Sequence, residues 1–174
     1  HLTLAIAMQS GNTYTITVNG VEDLVANACA NETEDVLYFV PDEALPGEVL
    51  INEIFADPTP IVGLPEAEFI EVFNATMNKT FDLADWTISD GSTAGTLPSI
   101  PLPPGAFAIL TDDTNAPLYI GFGTVVSIGS FPSLNNDGDP LELKDNNGVV
   151  IDAVTYDLNW FNDAVKADGG WTLE

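Results

Sequence analysis

The sequence predicts an all-β protein that forms an antiparallel β-sandwich from residue 47 onward. Short runs rich in β-forming residues recur there at regular intervals, and clusters of Gly, Pro, Asn and Asp separate them. No long apolar pattern of period 3.6 interrupts the series, so helix is expected only as single turns at 114–119 and 159–163. The expected strands lie near 48–55, 68–74, 85–89, 106–111, 124–128, 140–144 and 149–156.

The first two of these strands each carry a glutamate inside an apolar run. In the first strand, strict two-residue alternation places Val49, Ile51, Glu53 and Phe55 on one face. In the second strand it places Phe69, Glu71 and Phe73 on one face. If the strands pair, Glu53 and Glu71 could form an acid and base couple, because two carboxylates in an apolar setting push one pKa up. The alternative is structural: a solvated face with a few exposed apolar residues, or carboxylates that accept hydrogen bonds from loop amides.

A series of short segments follows a characteristic order along the chain. Residues 51–60 contain Asn-Glu-Ile followed by Asp-Pro, residues 68–74 contain Glu-Phe-Ile-Glu and end in Asn, and residues 82–91 read Asp-x-x-x-Trp-x-x-Ser-Asp-Gly. The series continues at 102–110, 134–139, 151–156 and 168–174. In this order the segments resemble the lamin tail domain, in its bacterial form, over about residues 47–174.

The resemblance implies a fold and a setting. Lamin tail domains are immunoglobulin-like modules that occur in nuclear lamins and, in longer forms, in secreted bacterial surface proteins and hydrolases. The predicted fold class is therefore an all-β, immunoglobulin-like antiparallel β-sandwich. The resemblance implies no catalytic residues.

Residues 1–46 form a separate segment in this interpretation, and the division falls near Pro46 and Gly47. Residues 2–8 alternate, residues 9–12 suit a turn, and Tyr14, Ile16 and Val18 alternate with threonines, which together predict a β-hairpin. One more strand is expected at 36–40. The run 11–23 resembles the closing strands of a bacterial immunoglobulin-like repeat. Because such domains need about 100 residues, we interpret 1–46 as the C-terminal remnant of a preceding immunoglobulin-like domain plus a linker, and 47–174 as the lamin-tail-like domain.

The charge of the chain is strongly one-sided. There are 27 Asp and Glu residues against three basic residues, all of them Lys, which gives a formal net charge of −24. Without a basic surface or an arginine to read phosphate, nucleic acid and anionic membranes are not expected as partners. No run approaches ~18 continuous apolar residues, so membrane insertion is not expected either. Salt and divalent cations outside the cell screen such a charge, which favours an extracellular or cell-surface location.

The composition argues against an enzyme. The single histidine is His1, so no Ser-His or Cys-His arrangement can be formed inside the chain. The single cysteine, Cys29, cannot form an intramolecular disulfide and is expected to be a small buried or half-buried thiol. One cysteine and a terminal histidine also make a zinc site improbable.

Calcium is the one cofactor that the composition permits. Hard cations bind carboxylate and carbonyl oxygens, and two acidic loops could supply them through Asp112 and Asp113 and through Asp137 and Asp139. Neither loop has the ligand spacing of an EF-hand, and Asn, Asp and Gly are also the residues that ordinary turns require. A calcium site and a plain turn therefore both remain open for these loops.

The aromatic residues separate two hypotheses of function. Trp86, Phe107 and Tyr156 are predicted to lie in the core, whereas Trp160 and Trp171 are predicted to be only partly buried. The first hypothesis is a non-catalytic interaction or structural module of a longer extracellular bacterial protein, with a protein, a surface polymer or neighbouring domains as partners. The second is an accessory module of a secreted hydrolase that binds a glycan or the cell surface through Trp160, Phe161 and Trp171.

Overall fold

The computed structural model describes residues 6–28 and 30–174, so the expectation for Cys29 lies outside the described residues. The chain divides into two compact units, His1–Pro41 and Asp42–Glu174. Residues 42–46, which the sequence prediction assigned to the first segment, belong to the second unit. They are held there by hydrogen bonds such as that from the Asp42 N–H to the Thr80 carbonyl, at 2.9 Å.

In the first unit the described strands form one antiparallel hairpin, but the strand at 12–18 pairs with residues 32–38 and not with the residues before it as predicted. Residues 6–8, the described part of the expected first strand, form no strand. Strand β1 spans Asn12–Val18 and strand β2 spans Glu32–Tyr38, with Asn12 opposite Tyr38 and Val18 opposite Glu32. The apolar side chains of this hairpin, among them Ile16, Val18 and Val36, are exposed within the described structure.

The second unit contains two four-stranded sheets. Its strands are β3 (Val49–Phe55), β4 (Phe69–Asn74), β5 (Phe81–Asp82), β6 (Thr87–Ser89), β7 (Ala94–Thr96), β8 (Pro101–Leu102), β9 (Phe107–Asp112), β10 (Val125–Ile128), β11 (Gly138–Lys144) and β12 (Val150–Asp157). The first sheet has the order β10-β9-β4-β3, the second has the order β12-β11-β6-β7, and β5 pairs with β8 as a small addition. All pairings are antiparallel except β9 with β10, which is parallel.

Among residues 6–28 and 30–174, helix is confined to single turns; those at 116–119 and 158–161 lie where they were predicted, and that at 166–168 was not predicted. Helix α1 spans Ala116–Tyr119 with a proline at its start, and 3₁₀ turns span Leu158–Phe161 and Lys166–Asp168. The predicted all-β, immunoglobulin-like sandwich is therefore confirmed.

The main core lies between the two sheets. Ile70 and Leu110 contribute to it from the first sheet and Ile88 and Leu143 from the second, each with no exposed surface. Trp86 joins this core with 3% exposure and lies 6.2 Å from Phe81, centroid to centroid.

Two of the three predicted core aromatics are confirmed and one is wrong. Trp86 and Tyr156 are buried, and the Tyr156 hydroxyl donates to the Asn135 carbonyl at 2.9 Å. Phe107 is 46% exposed. Alternation along β9 turns its neighbour Ala108 into the core, so Phe107 lies on the outer face, where it stacks on Phe73 with centroids 4.5 Å apart.

A bulge in β3 corrects the predicted facing of that strand. Ile51 lies opposite Val72 and Glu53 lies opposite Glu71, so Asn52 is the extra residue. Before the bulge, Val49 and Ile51 pack in or against the main core. After it, Glu53 and Phe55 face outward, so the four residues do not share one face as strict alternation predicted.

The core position of Trp86 predicts a large effect of truncation. Trp86→Ala should lower the free energy of unfolding by about 3–5 kcal/mol, because it leaves a cavity between the sheets. Phe107→Ala is the matched control and should cost only roughly 1 kcal/mol, since about half of that ring already contacts water. Denaturant unfolding of both variants measures this difference. Equal losses of stability would contradict the assignment of Trp86 to the core and of Phe107 to the outer face of the first sheet.

Candidate functional site

The predicted acidic loops use their aspartates in turns. The Asp139 carboxylate accepts hydrogen bonds from the Asn135 backbone N–H at 2.7 Å and from its side-chain amide at 2.8 Å. Asp112 accepts from the backbone N–H and the hydroxyl of Thr114, which lower the pKa of its carboxyl.

The structure does not bring these aspartates together as a ligand set. Within residues 6–28 and 30–174, no three His, Cys, Asp or Glu side chains lie close enough to hold a metal ion. Asp113 and Asp137 are exposed on their loops. Calcium binding by Asp112, Asp113, Asp137 and Asp139 stays a prediction.

The three aromatic residues proposed for ligand binding have different surroundings. Trp160 is 48% exposed in the first 3₁₀ turn, whereas Phe161 beside it packs against the main core. Trp171 is 39% exposed, and the Lys166 ammonium lies 5.2 Å from its ring centroid. No ring pair is formed among the three aromatics.

The two strand glutamates do meet, on the outer face of the first sheet. Glu53 of β3 lies directly opposite Glu71 of β4, and Ile109 of β9 continues the same row. Directly opposite residues on one face have Cβ atoms about 4.5–5.5 Å apart. The bulge brings Asn52 to the same place, and its side-chain amide donates to the Glu71 carboxylate at 3.0 Å. The carboxylates of Glu53 and Glu71 therefore lie close together on the outer face of the first sheet.

Burial raises the pKa of Glu71 above its usual value. The charges of Glu53 and Glu174 raise the pKa further, while the hydrogen bond from Asn52 opposes the shift. Ionisation of Glu71 in the folded protein therefore costs free energy. A positive charge bound beside the carboxylate would reduce that cost.

A second, smaller core covers one side of the pair. Phe55, Phe69 and Ile109 on the sheet pack against Tyr119 of α1. The Tyr119 ring meets Phe69 edge-on at 5.2 Å and Phe122 at 5.8 Å, and its hydroxyl donates to the Ala67 carbonyl at 2.5 Å. This layer is held rigidly against the sheet.

Between this layer and the carboxylates lies a recess of about 120 Å³, lined by Glu53, Leu64, Phe69, Glu71, Ile109, Tyr119 and Phe122. This volume is well above the roughly 10–15 Å³ that one water needs. On the other side of the pair the Phe73 and Phe107 rings are stacked on the same face. We refer to the recess and the flanking rings Phe73, Phe107 and Phe122 as the acidic-aromatic face.

Sequence reasoning identified Glu53 and Glu71 but missed the residues that enclose them. Leu64, Tyr119 and Phe122 lie in turn-rich connections, where no periodic pattern indicates which side chains return to the sheet. The one sequence signal for this layer was the expected helical turn at 114–119. Tyr119 ends that turn, and a large aromatic side chain there needs an apolar surface to pack against.

The fold and this face define a class: an immunoglobulin-like β-sandwich module without an identified catalytic group. The family model for the Lamin Tail Domain matches residues 42–157. The chain belongs to the lamin tail domain family, a non-catalytic immunoglobulin-like family, as the resemblance predicted. A search of curated proteins and a search of solved structures found no match. Among the described helices, none is long and apolar enough to cross a membrane.

The raised pKa of Glu71 predicts a pH-dependent stability. The folded protein binds this proton more tightly than the unfolded chain, so the contribution is fully present below pH 4.5, the usual value, and is lost as pH rises through the raised pKa. Glu71→Gln, which keeps an uncharged side chain, should therefore raise Tm at pH 7 by about 1–3 °C, allowing for solvent screening.

The control is Glu43→Gln, which removes one negative charge at an exposed position. Thermal melts from pH 4 to pH 8 should show the advantage of Glu71→Gln shrinking toward pH 4.5, while Glu43→Gln has a smaller effect. The interpretation is wrong if the two variants behave alike.

The calcium prediction has its own test. A specific site binds the native state alone and stabilises by mass action, by roughly 2.7 kcal/mol at a hundredfold excess of the ion over Kd. Thermal unfolding in millimolar calcium and in millimolar magnesium, at matched ionic strength, distinguishes stabilisation by a specific calcium site from diffuse charge screening. A shift selective for calcium that disappears in Asp137→Asn or Asp139→Asn would place a site there, and equal shifts would leave these loops as turns.

Proposed function

We propose that this chain is an interaction module of a longer bacterial secreted or cell-surface protein, and that it binds a protein partner through the acidic-aromatic face. The single observation that carries the proposal is the exposure of large apolar side chains on this face. Phe107 is 46% exposed and Phe122 is 54% exposed, on either side of the two glutamates. Large apolar side chains grouped on the surface of a folded protein are typical of protein-binding sites.

The charge of the chain supports the extracellular setting. With a net charge of −24 the folded state repels itself, and this repulsion is weakest where salt and divalent cations are abundant. The family is also compatible with such a setting, because its bacterial members include secreted and surface proteins.

The first unit, His1–Pro41, fits the proposal as the end of a preceding immunoglobulin-like domain. A two-stranded hairpin is marginally stable alone. The β1–β2 hairpin presents Ile16, Val18 and Val36 on its surface, and such side chains are normally covered by further strands.

A second candidate function is glycan or surface binding as an accessory module of a secreted hydrolase. It is favoured by the exposure of Trp160 and Trp171, since exposed indole rings can stack on sugars. It is weakened by Phe161, which packs against the main core and so cannot complete a flat platform.

A comparison of two double variants distinguishes the candidates. The protein is immobilised and exposed to extracellular protein and, separately, to purified cell-wall polysaccharide of the source organism. We expect saturable, protease-sensitive binding that Phe107→Ser with Phe122→Ser abolishes and that Trp160→Ala with Trp171→Ala leaves unchanged. Binding of polysaccharide that only the tryptophan variant abolishes would overturn the proposal in favour of the second candidate. Circular dichroism of each variant checks that the sandwich is intact.

A further inference from the structure

In the part of the chain that the structure describes, no lysine pairs with the carboxylates of the acidic-aromatic face. Within the described residues the three lysines are engaged elsewhere: Lys79 pairs with Glu48 at 2.6 Å, Lys144 pairs with Glu142 at 2.5 Å, and Lys166 lies over Trp171. The sequence has no arginine. Glu53 and Glu71 thus carry two adjacent negative charges, and the one polar contact seen is the Asn52 amide on Glu71.

The walls of the recess are apolar and aromatic. Phe122 presents an exposed ring and Leu64 a half-buried aliphatic side chain, while the buried Phe69, Ile109 and Tyr119 form the floor behind them. Aromatic faces attract cations, and apolar walls bury the methylene groups of a long side chain whose charged end lies among carboxylates. The recess therefore suits a ligand with an apolar stem and a positive end.

We propose that the recess binds a single lysine or arginine side chain presented by the protein partner, with Glu53 and Glu71 facing the cation and Leu64 and Phe122 contacting its stem. The flanking rings Phe73 and Phe107 then pack against apolar residues beside that basic residue. This inference rests on the proposed function, because it specifies what the acidic-aromatic face recognises.

The chemistry of the recess favours a basic side chain over a metal ion. Calcium takes 6–8 oxygen ligands, whereas the recess offers two carboxylates and walls without further acidic groups. A second copy of this chain is also disfavoured as the occupant, because each of its three lysines already has a contact.

The test uses small probes of the side-chain ends on the full chain. n-Butylammonium chloride represents lysine and n-butylguanidinium chloride represents arginine, while 1-butanol supplies the stem alone and ammonium chloride the charge alone. NMR titrations at pH 7 and constant ionic strength should show saturable shifts at Glu71, Ile109, Tyr119 and Phe122, with Kd of about 1–10 mM for one of the two cations. Butanol and ammonium should each bind at least about tenfold more weakly.

Two variants locate the cation. Glu71→Gln should weaken binding of the probe about tenfold, because it removes one charge from the recess and keeps its shape, whereas Glu43→Gln should not change it. Binding should also weaken at low pH as the Glu71 carboxylate, whose pKa is raised by burial, is protonated. The titratable groups around Glu71 are Glu53 on β3, Glu174 at the C-terminal end and Tyr119 on α1.

The outcomes separate this inference from the proposed function. Absence of saturable shifts with both cations, equal binding of butanol, or no effect of Glu71→Gln would overturn the inference. If partner binding still depended on Phe107 and Phe122 in that case, the proposed function would hold, but the face would recognise something other than a basic side chain. Saturable cation binding that only Glu71→Gln weakens supports the inference even when no protein partner is captured from the extracellular fraction.

Discussion

The β-bulge at Asn52 is the constraint on which the arrangement of the first sheet depends. Without the extra residue, strict alternation would continue from Val49 and Ile51, which contact the main core, and would turn Glu53 inward. A carboxylate buried there without a partner would be very unfavourable. The bulge reverses the facing of the rest of the strand, so that Ile54 enters the core and Glu53 faces outward beside Glu71. This one extra residue thus places Ile54 in the core and Glu53 beside Glu71.

The sequence predicted the sandwich and the two glutamates because both depend on local patterns. Strands and turns follow from composition and alternation, and the short turn at 116–119 follows from its proline. The facing of Glu53 did not follow, because nothing in Ile51-Asn52-Glu53 indicates which residue will lack a partner on β4. Phe107 was misplaced for a similar reason: a large aromatic near the start of a strand fits either face until the register of β9 is known. The Tyr119 layer depends on contacts distant in sequence, and local patterns carry no information about these.

The hydrogen bonds explain why many of the acidic residues are not candidates for recognition. Many aspartates accept a bond from the backbone N–H two residues further on and so stabilise a turn: Asp23, Asp57, Asp82, Asp90, Asp112, Asp145, Asp157 and Asp163. Glu48 is paired with Lys79, and Glu68 accepts from the Leu134 N–H. Glu53 and Glu71 differ from these because they stand in the middle of strands, where no turn requires a carboxylate. No turn therefore accounts for these two carboxylates.

Recognition through a face rather than through a strand edge is consistent with how β3 ends the first sheet. An edge strand normally offers free N–H and C=O groups to which another strand can be added. Here the Ile51 N–H donates to the Asp152 carboxylate at 2.8 Å. The N–H and C=O of Ile54 are both bonded to Leu173, at 2.9 Å. Because these edge groups are already satisfied, an added strand would have to displace contacts within the unit. The side chains of the outer face need no such rearrangement, because the layer anchored by the Tyr119 hydroxyl already packs against the sheet there.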